Sequence, residues 1–432
     1  MPTVVPRGLT AILAKHPTDI IIASALRTPI TRAVKGALAH THPEELLASV
    51  LSATLARTRI PPSSVQDILV GCVLQSLGGH KASAAAVKHA GFLSSTTVAT
   101  VNRQCSSSAY ALTLLASSIR ETLLQDGTGA LDCGIAAGTE SMSLDYFPHR
   151  GIPWRVSETL GRNSPQQDAR DVLMPMGVTS ENVARELGVT REEQDEFALT
   201  SHRKAEWAWE HGWFHNEVVP VQARKVEVAA GTTTSTSTTT TTATTSEDSW
   251  RTVERDDGFR KGLTIEKLAA LKPAFDDAGT TTAGNSSQIS DGAAAILVMT
   301  RARADALGIP PIGKYIAGTV VGVPPRLMGV APALAVPKLL DITAVDKSAV
   351  DVWELNEAFA SQAVYCIREL GLDPANVNPM GGAIALGHPL GATGARIVAT
   401  LLNGLRNTGG RIGVLSMCAS TGQGYAGMIV RE

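Results

Sequence analysis

The sequence predicts an α/β fold with layered sheets. Three observations carry that expectation: apolar runs of strand length alternate with segments of helical spacing, two helical segments open on capping signals, and one strand-flanking pattern occurs twice. The 432 residues, 44% of them hydrophobic, can bury a large core and exceed one simple domain, so two or three packed units are expected.

In chain order, Asp19-Ile20-Ile21-Ile22-Ala23 reads as a short buried strand. Thr41-His42-Pro43-Glu44 reads as a capping box with Pro in the first turn, followed by Leu46, Leu47, Val50, Leu51 and Leu55 at helical spacing. Asp67 to Val73 returns to strand. Thr190-Arg191-Glu192-Glu193 is the second capping box, opening a helix that runs toward His211. Ser64-Val65-Gln66-Asp67-Ile68 recurs in type as Ser348-Ala349-Val350-Asp351-Val352, which fits either two similar halves or chance. Five of the six tryptophans (Trp154, Trp207, Trp209, Trp213, Trp250) crowd one middle region, which reads as an inserted domain. Within it, residues 232–246 are Thr or Ser except Ala243; such a tract buries no apolar area to offset its ordering entropy and is expected to be a disordered loop.

A net charge of −2 points away from nucleic acid and anionic membrane surfaces, and no apolar run reaches the ~18 residues of a membrane span. The five cysteines form no C-x-x-C pair, which argues against a disulfide framework or a zinc site, and no metal is expected. Cys72, Cys133 and Cys366 sit in apolar runs and read as buried hydrophobes. Neither end carries a clear targeting signal: Arg7 and His16 lack the spacing of the N-terminal peroxisomal address, and Val430-Arg431-Glu432 is not of the Ser-Lys-Leu type.

Four constellations can carry chemistry. In Asn102-Arg103-Gln104-Cys105-Ser106-Ser107-Ser108, a cysteine precedes a helix expected over Ala109 to Arg120. The helix dipole and free N–H groups stabilise a thiolate there, although a cysteine packed under a helix cap reads the same way. In Gly381 to Arg396, glycines crowd both sides of His388, a possible base for a thiol. In Ser416 to Gly424, Cys418 opens a Gly-rich loop after a strand over Ile412 to Leu415; no Gly-Lys-Ser/Thr follows, so it is not a P-loop. Asn356, in Asn356-Glu357-Ala358-Phe359-Ala360 after the strand Val350 to Glu354, can hold a water or donate to an oxyanion.

Together these stretches resemble the thiolase family from Asp19 to the end. Arg27-Thr28-Pro29-Ile30, Gly138 to Ser143, Met174 to Asn182, Thr282 to Gln288 and Ser290 to Ala295 support the resemblance. Met174-Pro175-Met176-Gly177, with Val323-Pro324-Pro325 and Met328-Gly329, looks most like the degradative, peroxisomal-type 3-ketoacyl-CoA thiolases. The resemblance implies a five-layer α-β-α-β-α sandwich of two similar halves plus a loop domain. The expected boundaries are an extension over 1–18, a first half over 19–147 continued in 286–303, a loop domain over 148–285 with a disordered insert at 231–247, and a second half over 304–432.

The same resemblance implies that Cys105 is the nucleophile, His388 its base, and Cys418 the acid and base for the leaving and entering groups. Asn356 would hold a water that, with His388, forms one oxyanion hole, and backbone N–H groups of Cys105 and Ser420 a second. Arg260 would lie near the CoA nucleotide and Ser287 near the pantetheine. The implied activity is thiolysis of 3-ketoacyl-CoA by CoA, with CoA a substrate, no cofactor, acyl-CoA as partner, a homodimer, and the peroxisome as compartment; the mitochondrion and cytosol stand as alternatives. Biosynthetic condensation and a weakly active acyl-CoA-binding protein are the competing functions. The chain departs from the family at Ser108 and Ser420, where Gly is usual, and at Ala109-Tyr110, where Leu-Gln is common. A left-handed backbone at Ser420 would cost a non-glycine residue about 1 kcal/mol.

Overall fold

The computed structural model describes residues 5–124, 131–146, 156–224 and 250–432. The Thr-rich stretch and Trp154 lie outside the described residues. Twelve strands are described: β1 (Ile20–Arg27), β2 (Thr31–Arg32), β3 (Asp67–Gly71), β4 (Thr97–Val101), β5 (Cys133–Ser141), β6 (Val221–Arg224), β7 (Trp250–Val253), β8 (Ser290–Thr300), β9 (Gly313–Gly322), β10 (Val352–Leu355), β11 (Ile412–Ala419) and β12 (Gln423–Arg431). The helices that build the layers are α1 (Pro43–Thr58), α2 (His80–His89), α3 (Ser107–Leu124), α4 (Met176–Leu187), α5 (Arg191–Glu210), α6 (Ala331–Thr343), α7 (Ala360–Leu370) and α8 (Thr393–Thr408).

Two sets of strands share one topology. From β1, the first set runs antiparallel to β8, antiparallel to β5, then parallel to β3 and to β4. From β9, the second runs antiparallel to β12, antiparallel to β11, then parallel to β10, with a parallel bridge from Trp353 to Val377 in the fifth place. The Ser64–Ile68 and Ser348–Val352 stretches lead into β3 and β10, which occupy equivalent places, so the weak repeat in the sequence marks this duplication. A short antiparallel seam, Ile20–Ile22 against Tyr315–Gly313, joins the two sets.

Strand periodicity distributes side chains between layers. Ile21 and Ala23 of β1 face α1 and α2, while Ile20 and Ile22 face the middle layer. There α3 and α8 pack between the sheets, with Leu112, Leu115 and Ile119 of one beside Ile397, Val398 and Leu401 of the other. Residues 393–405 of α8 are buried all round, as expected of a helix enclosed on every side. Helices α6 and α7 cover the far face of the second sheet through Val336, Leu339, Ile367 and Leu370. The order is therefore α-β-α-β-α. Among the described residues no helix is long and apolar enough to cross a membrane.

The second capping box forms as expected: Glu193 N–H donates to Thr190 Oγ1 at 3.2 Å, and Thr190 N–H to Glu193 Oε2 at 2.8 Å. The first forms one residue later than expected. His42 is the N-cap and its N–H donates to Glu45 Oε2 at 2.9 Å, because Pro43 occupies the first helical position where a missing N–H costs nothing.

The middle region is tied to the first sheet by a buried charge cluster. Arg27 donates to Glu217 Oε1 at 2.5 Å and to both carboxylate oxygens of Asp256 at 2.7 and 2.9 Å. Asp256 also accepts from Ile30 N–H at 2.7 Å and Trp209 Nε1 at 3.1 Å. All three charged side chains are essentially fully buried, so removing any one strands the others.

Candidate active site

The Cys105 turn is built by its own polar residues. Asn102 Oδ1 accepts from Gln104 N–H at 3.0 Å, and Gln104 adopts φ 49°. Ser106 and Ser107 N–H groups donate to Arg103 and Gln104 carbonyls, and Ser107 Oγ accepts from Arg103 N–H at 2.9 Å. Cys105 therefore stands just ahead of α3, which begins at Ser107, two residues before the expected start. Its side chain is half-buried. Burial pushes the thiol up to about 11, while the N–H groups of Ser420 and of Cys105 itself face the sulfur and hold it down.

Cys418 lies inside β11 rather than in the loop beyond it. The strand continues to Ala419, Cys418 pairs in register with Gly424, and the turn is Ser420-Thr421-Gly422. The early end expected at Leu415 overlooked that Ser416 to Ala419 are all buried beside β12 and contain no breaker. Burial pushes the Cys418 thiol well above its usual range, and the neighbouring Cys105 pushes it further. Ser420 is not left-handed; Thr421 (φ 68°) and Gly422 (φ 79°) are. The expected backbone cost thus falls on Thr421, and Ser420 turns its N–H toward Cys105 without that strain.

His388 follows Gly387, whose φ of 110° and closeness to Ser290 Oγ, 2.3 Å from where a Cβ would stand, require glycine. His388 N–H donates to Gln288 O at 3.0 Å. Its Nδ1 lies 2.7 Å from Thr393 Oγ1, and its buried Nε2 has no partner. With the proton on Nδ1, the threonine accepts it and Nε2 presents a lone pair. Burial, then Arg396, depress the imidazole to about 3, so it is neutral at physiological pH. Asn356, 1% exposed, keeps both side-chain atoms free of partners, and its N–H bonds to Ser416 O at 2.9 Å beside Cys418's strand.

Two buried acids missed by the sequence reading fix these turns. Glu140 accepts N–H groups of Val73, Leu74 and Gly391 at 3.1, 3.0 and 2.9 Å, tying the end of β3 to the loop that follows His388. Glu357 accepts from Ser201 Oγ at 2.6 Å, Asn378 Nδ2 at 2.8 Å and Ile384 N–H at 3.1 Å. An acid set in a fully buried strand, as Glu140 is, is the feature that distinguishes it. Ser108 is also buried: its Oγ accepts Ala395 N–H at 2.9 Å and joins α3 to α8.

A cavity of about 360 Å³ is lined by Arg32, Asp257–Leu263 and Lys267, and thus by four cationic side chains and Phe259. Arg260 belongs to it, its N–H held by His202 Nδ1 at 3.2 Å. Gln288 Nε2 bonds Gly258 O at 2.8 Å and Ile384 O at 2.9 Å, linking this cavity's wall to the segment before His388. Ser287 is half-buried and its N–H donates to Ala358 O at 3.0 Å, next to the Asn356 turn. Cys72, Cys133 and Cys366 are buried.

Family models decide the assignment: the thiolase N-terminal domain matches residues 20–302 and the thiolase C-terminal domain residues 309–431. The chain belongs to the thiolase family. This thiolase is 46% identical over 410 residues to the peroxisomal 3-ketoacyl-CoA thiolase B of Mus musculus, covering 95% of this chain and 90% of that one. It is 43% identical to the peroxisomal 3-ketoacyl-CoA thiolase of Yarrowia lipolytica over 99% of this chain and 96% of that one. The crystal structure of the dimeric peroxisomal thiolase of Saccharomyces cerevisiae superposes with a TM-score of 0.86 at 38% identity, covering 98% of this chain and all of that one.

Proposed function

We infer that this thiolase cleaves 3-ketoacyl-CoA with CoA, giving acetyl-CoA and a shortened acyl-CoA in fatty-acid β-oxidation. The observation that carries the reading is the pair of turns that set Cys105 against Cys418 with the Ser420 N–H on the Cys105 sulfur. The names of the relatives support the substrate class and the peroxisome, and the dimeric yeast structure supports a homodimer.

Cys105 Sγ attacks the 3-keto carbon as its proton passes to His388 Nε2. With a raised thiol and a depressed imidazole, the neutral pair is favoured at rest, so proton transfer accompanies attack rather than preceding it. The Cα–Cβ bond breaks and its electron pair becomes the acetyl-CoA enolate, while the shortened acyl group stays on Cys105. His388 and an Asn356-held water face the enolate oxygen; Cys418 protonates its carbon. The Cys418 thiolate then takes the proton of incoming CoA, whose sulfur attacks the acyl-enzyme, and Cys105 recovers its proton from His388. During both acyl transfers the N–H groups of Cys105 and Ser420 face the thioester oxygen. Arg260, with Arg32, Lys261 and Lys267, suits the CoA phosphates, and Ser287 the pantetheine. CoA enters as a substrate, and the cycle uses no cofactor or metal.

The test is CoA-dependent loss of the magnesium-complexed 3-ketoacyl-CoA absorbance with short-, medium- and long-chain substrates, on wild type and Cys105→Ala. Turnover in wild type, none in the variant, and an acyl adduct on Cys105 by mass spectrometry are expected. Undiminished turnover in Cys105→Ala would refute the assignment.

A further inference from the structure

We propose that Arg103, Gln423 and Thr421 form a clamp that holds the Ser420 N–H on the Cys105 sulfur, making Arg103 and Gln423 positioning residues for acyl transfer. The proposal rests on the reading of Cys105 as the acylated cysteine.

The two turns that meet at the sulfur come from opposite halves of the chain, and a single line of polar contacts crosses between them. Arg103, two residues before Cys105, donates from Nη1 to Gln423 Oε1 at 2.6 Å. Its guanidinium carbon lies 3.9 Å from the centre of the Tyr110 ring, which fixes the plane of the fork. Among the described residues no carboxylate lies within ion-pair distance of Arg103, so this amide oxygen is its directing partner. Gln423 is itself fixed, its backbone in register with Ala419 on one side and Gly322 on the other. Its Nε2 donates to Thr421 Oγ1 at 3.0 Å, and that hydroxyl donates to Ser420 O at 2.5 Å.

Thr421 explains why a clamp is present. A β-branched residue at φ 68° costs roughly 1–3 kcal/mol and persists only where its surroundings hold it. Its one hydroxyl bridges Gln423 to the Ser420 carbonyl, so the strained turn is held at the residue that follows the oxyanion donor. The clamp acts through geometry: burial, the two N–H groups and Glu140 set the Cys105 thiol, and the charge of Arg103 is not among them. Tyr110 stands where the family commonly has another residue, so the aromatic platform is a feature of this chain.

Kinetics of acetoacetyl-CoA thiolysis would be measured for Gln423→Leu, Arg103→Ala, the double variant, Gln423→Glu, Tyr110→Leu and Tyr110→Phe, together with the pH profile of Cys105 alkylation by iodoacetamide. Each disrupting single variant is expected to lower kcat about 10- to 100-fold, since a displacement of ~1 Å at the reacting centre costs that much. KM should stay within about two-fold and the alkylation midpoint should not move, separating misalignment from lost binding or general loosening. The double variant should be no slower than the slower single, because both cut one chain. Gln423→Glu keeps the acceptor for Arg103 but has no N–H for Thr421 Oγ1, so it should recover only part of the rate lost in Gln423→Leu, and Tyr110→Phe should exceed Tyr110→Leu. Wild-type kcat in Gln423→Leu, losses that multiply in the double variant, or equal rates for the two Tyr110 variants would overturn the clamp. If Cys105→Ala still turns over, the assignment of Cys105 fails first; if it is dead while Gln423→Leu is unimpaired, only the clamp fails.

Discussion

Removing the Ser108 hydroxyl should weaken the joint between α3, which follows Cys105, and α8, which follows His388. Ser108 lies in the first turn of α3, and its Oγ accepts the Ala395 N–H at 2.9 Å with neither residue exposed. Ala395 is the third residue of α8, whose N-cap, Ala392, has no side chain able to cap it. In Ser108→Ala that N–H keeps its burial and loses its acceptor. An unsatisfied buried donor costs about 1–3 kcal/mol and a lost cap about 0.5–2 kcal/mol; removing one buried hydroxyl returns part of this, so a net loss of about 1–2 kcal/mol follows. Ser108→Gly should cost up to ~1 kcal/mol more through backbone freedom. The assay is urea unfolding followed in parallel by tryptophan fluorescence and by residual thiolysis. Ser108→Ala with a wild-type midpoint, or Ser108→Gly more stable than wild type, would refute the argument. In that event the serine would be a burden that this chain tolerates, and the family's glycine would be the better joint.

Two other perturbations test the surroundings of the site. Gly422 has φ 79°, and a Cβ there would stand 2.2 Å from Val323 O, so Gly422→Ala should cost several kcal/mol and abolish acylation of Cys105; a variant that still acylates at the wild-type rate would show that the turn is not held as described. Burial raises Glu354 from 4.5 to about 8, so the folded protein holds a proton that the unfolded chain releases; the associated stability is full below about 4.5 and is lost as pH rises through about 8. Glu354→Gln should therefore gain thermal stability over wild type at alkaline pH and gain less at mildly acidic pH, and an equal shift at both would contradict the sign.

The α/β class, the capping box at Thr190 and the strands β1, β3, β10 and β11 were legible in the sequence because strand and helix periodicities are local properties. The duplication was visible only faintly, since two halves can keep one topology while few side chains recur; β3 and β10 share a lead-in pattern and little else. Helix and strand ends moved by a few residues where packing overrode local signals, as at Cys418, where Ser416 to Ala419 continue a buried strand. The cysteines, His388 and Asn356 were found as separate motifs, since polar or glycine-rich breaks between periodic segments stand out in any order. Their mutual placement was not legible, because Cys105 and Cys418 are brought together from two halves across the middle layer.

Sequence alone also raised concerns that the structure resolved differently. Ser420 stood out as a strained replacement for glycine, yet the left-handed residue is its neighbour Thr421, because the turn from β11 to β12 places its positive φ angles one position later. Ser108, a departure from the usual Gly, accepts a hydrogen bond from α8. The residues and their chemistry were therefore determined by the sequence. Which N–H meets which sulfur, which acid fixes which loop, and how Arg103 reaches Gln423 were decided by tertiary structure alone. The reason is physical: these contacts join separate segments, in the case of Arg103 with Gln423 and Ser108 with Ala395 from opposite halves of the chain, and only the packing of two sheets around α3 and α8 sets their distance.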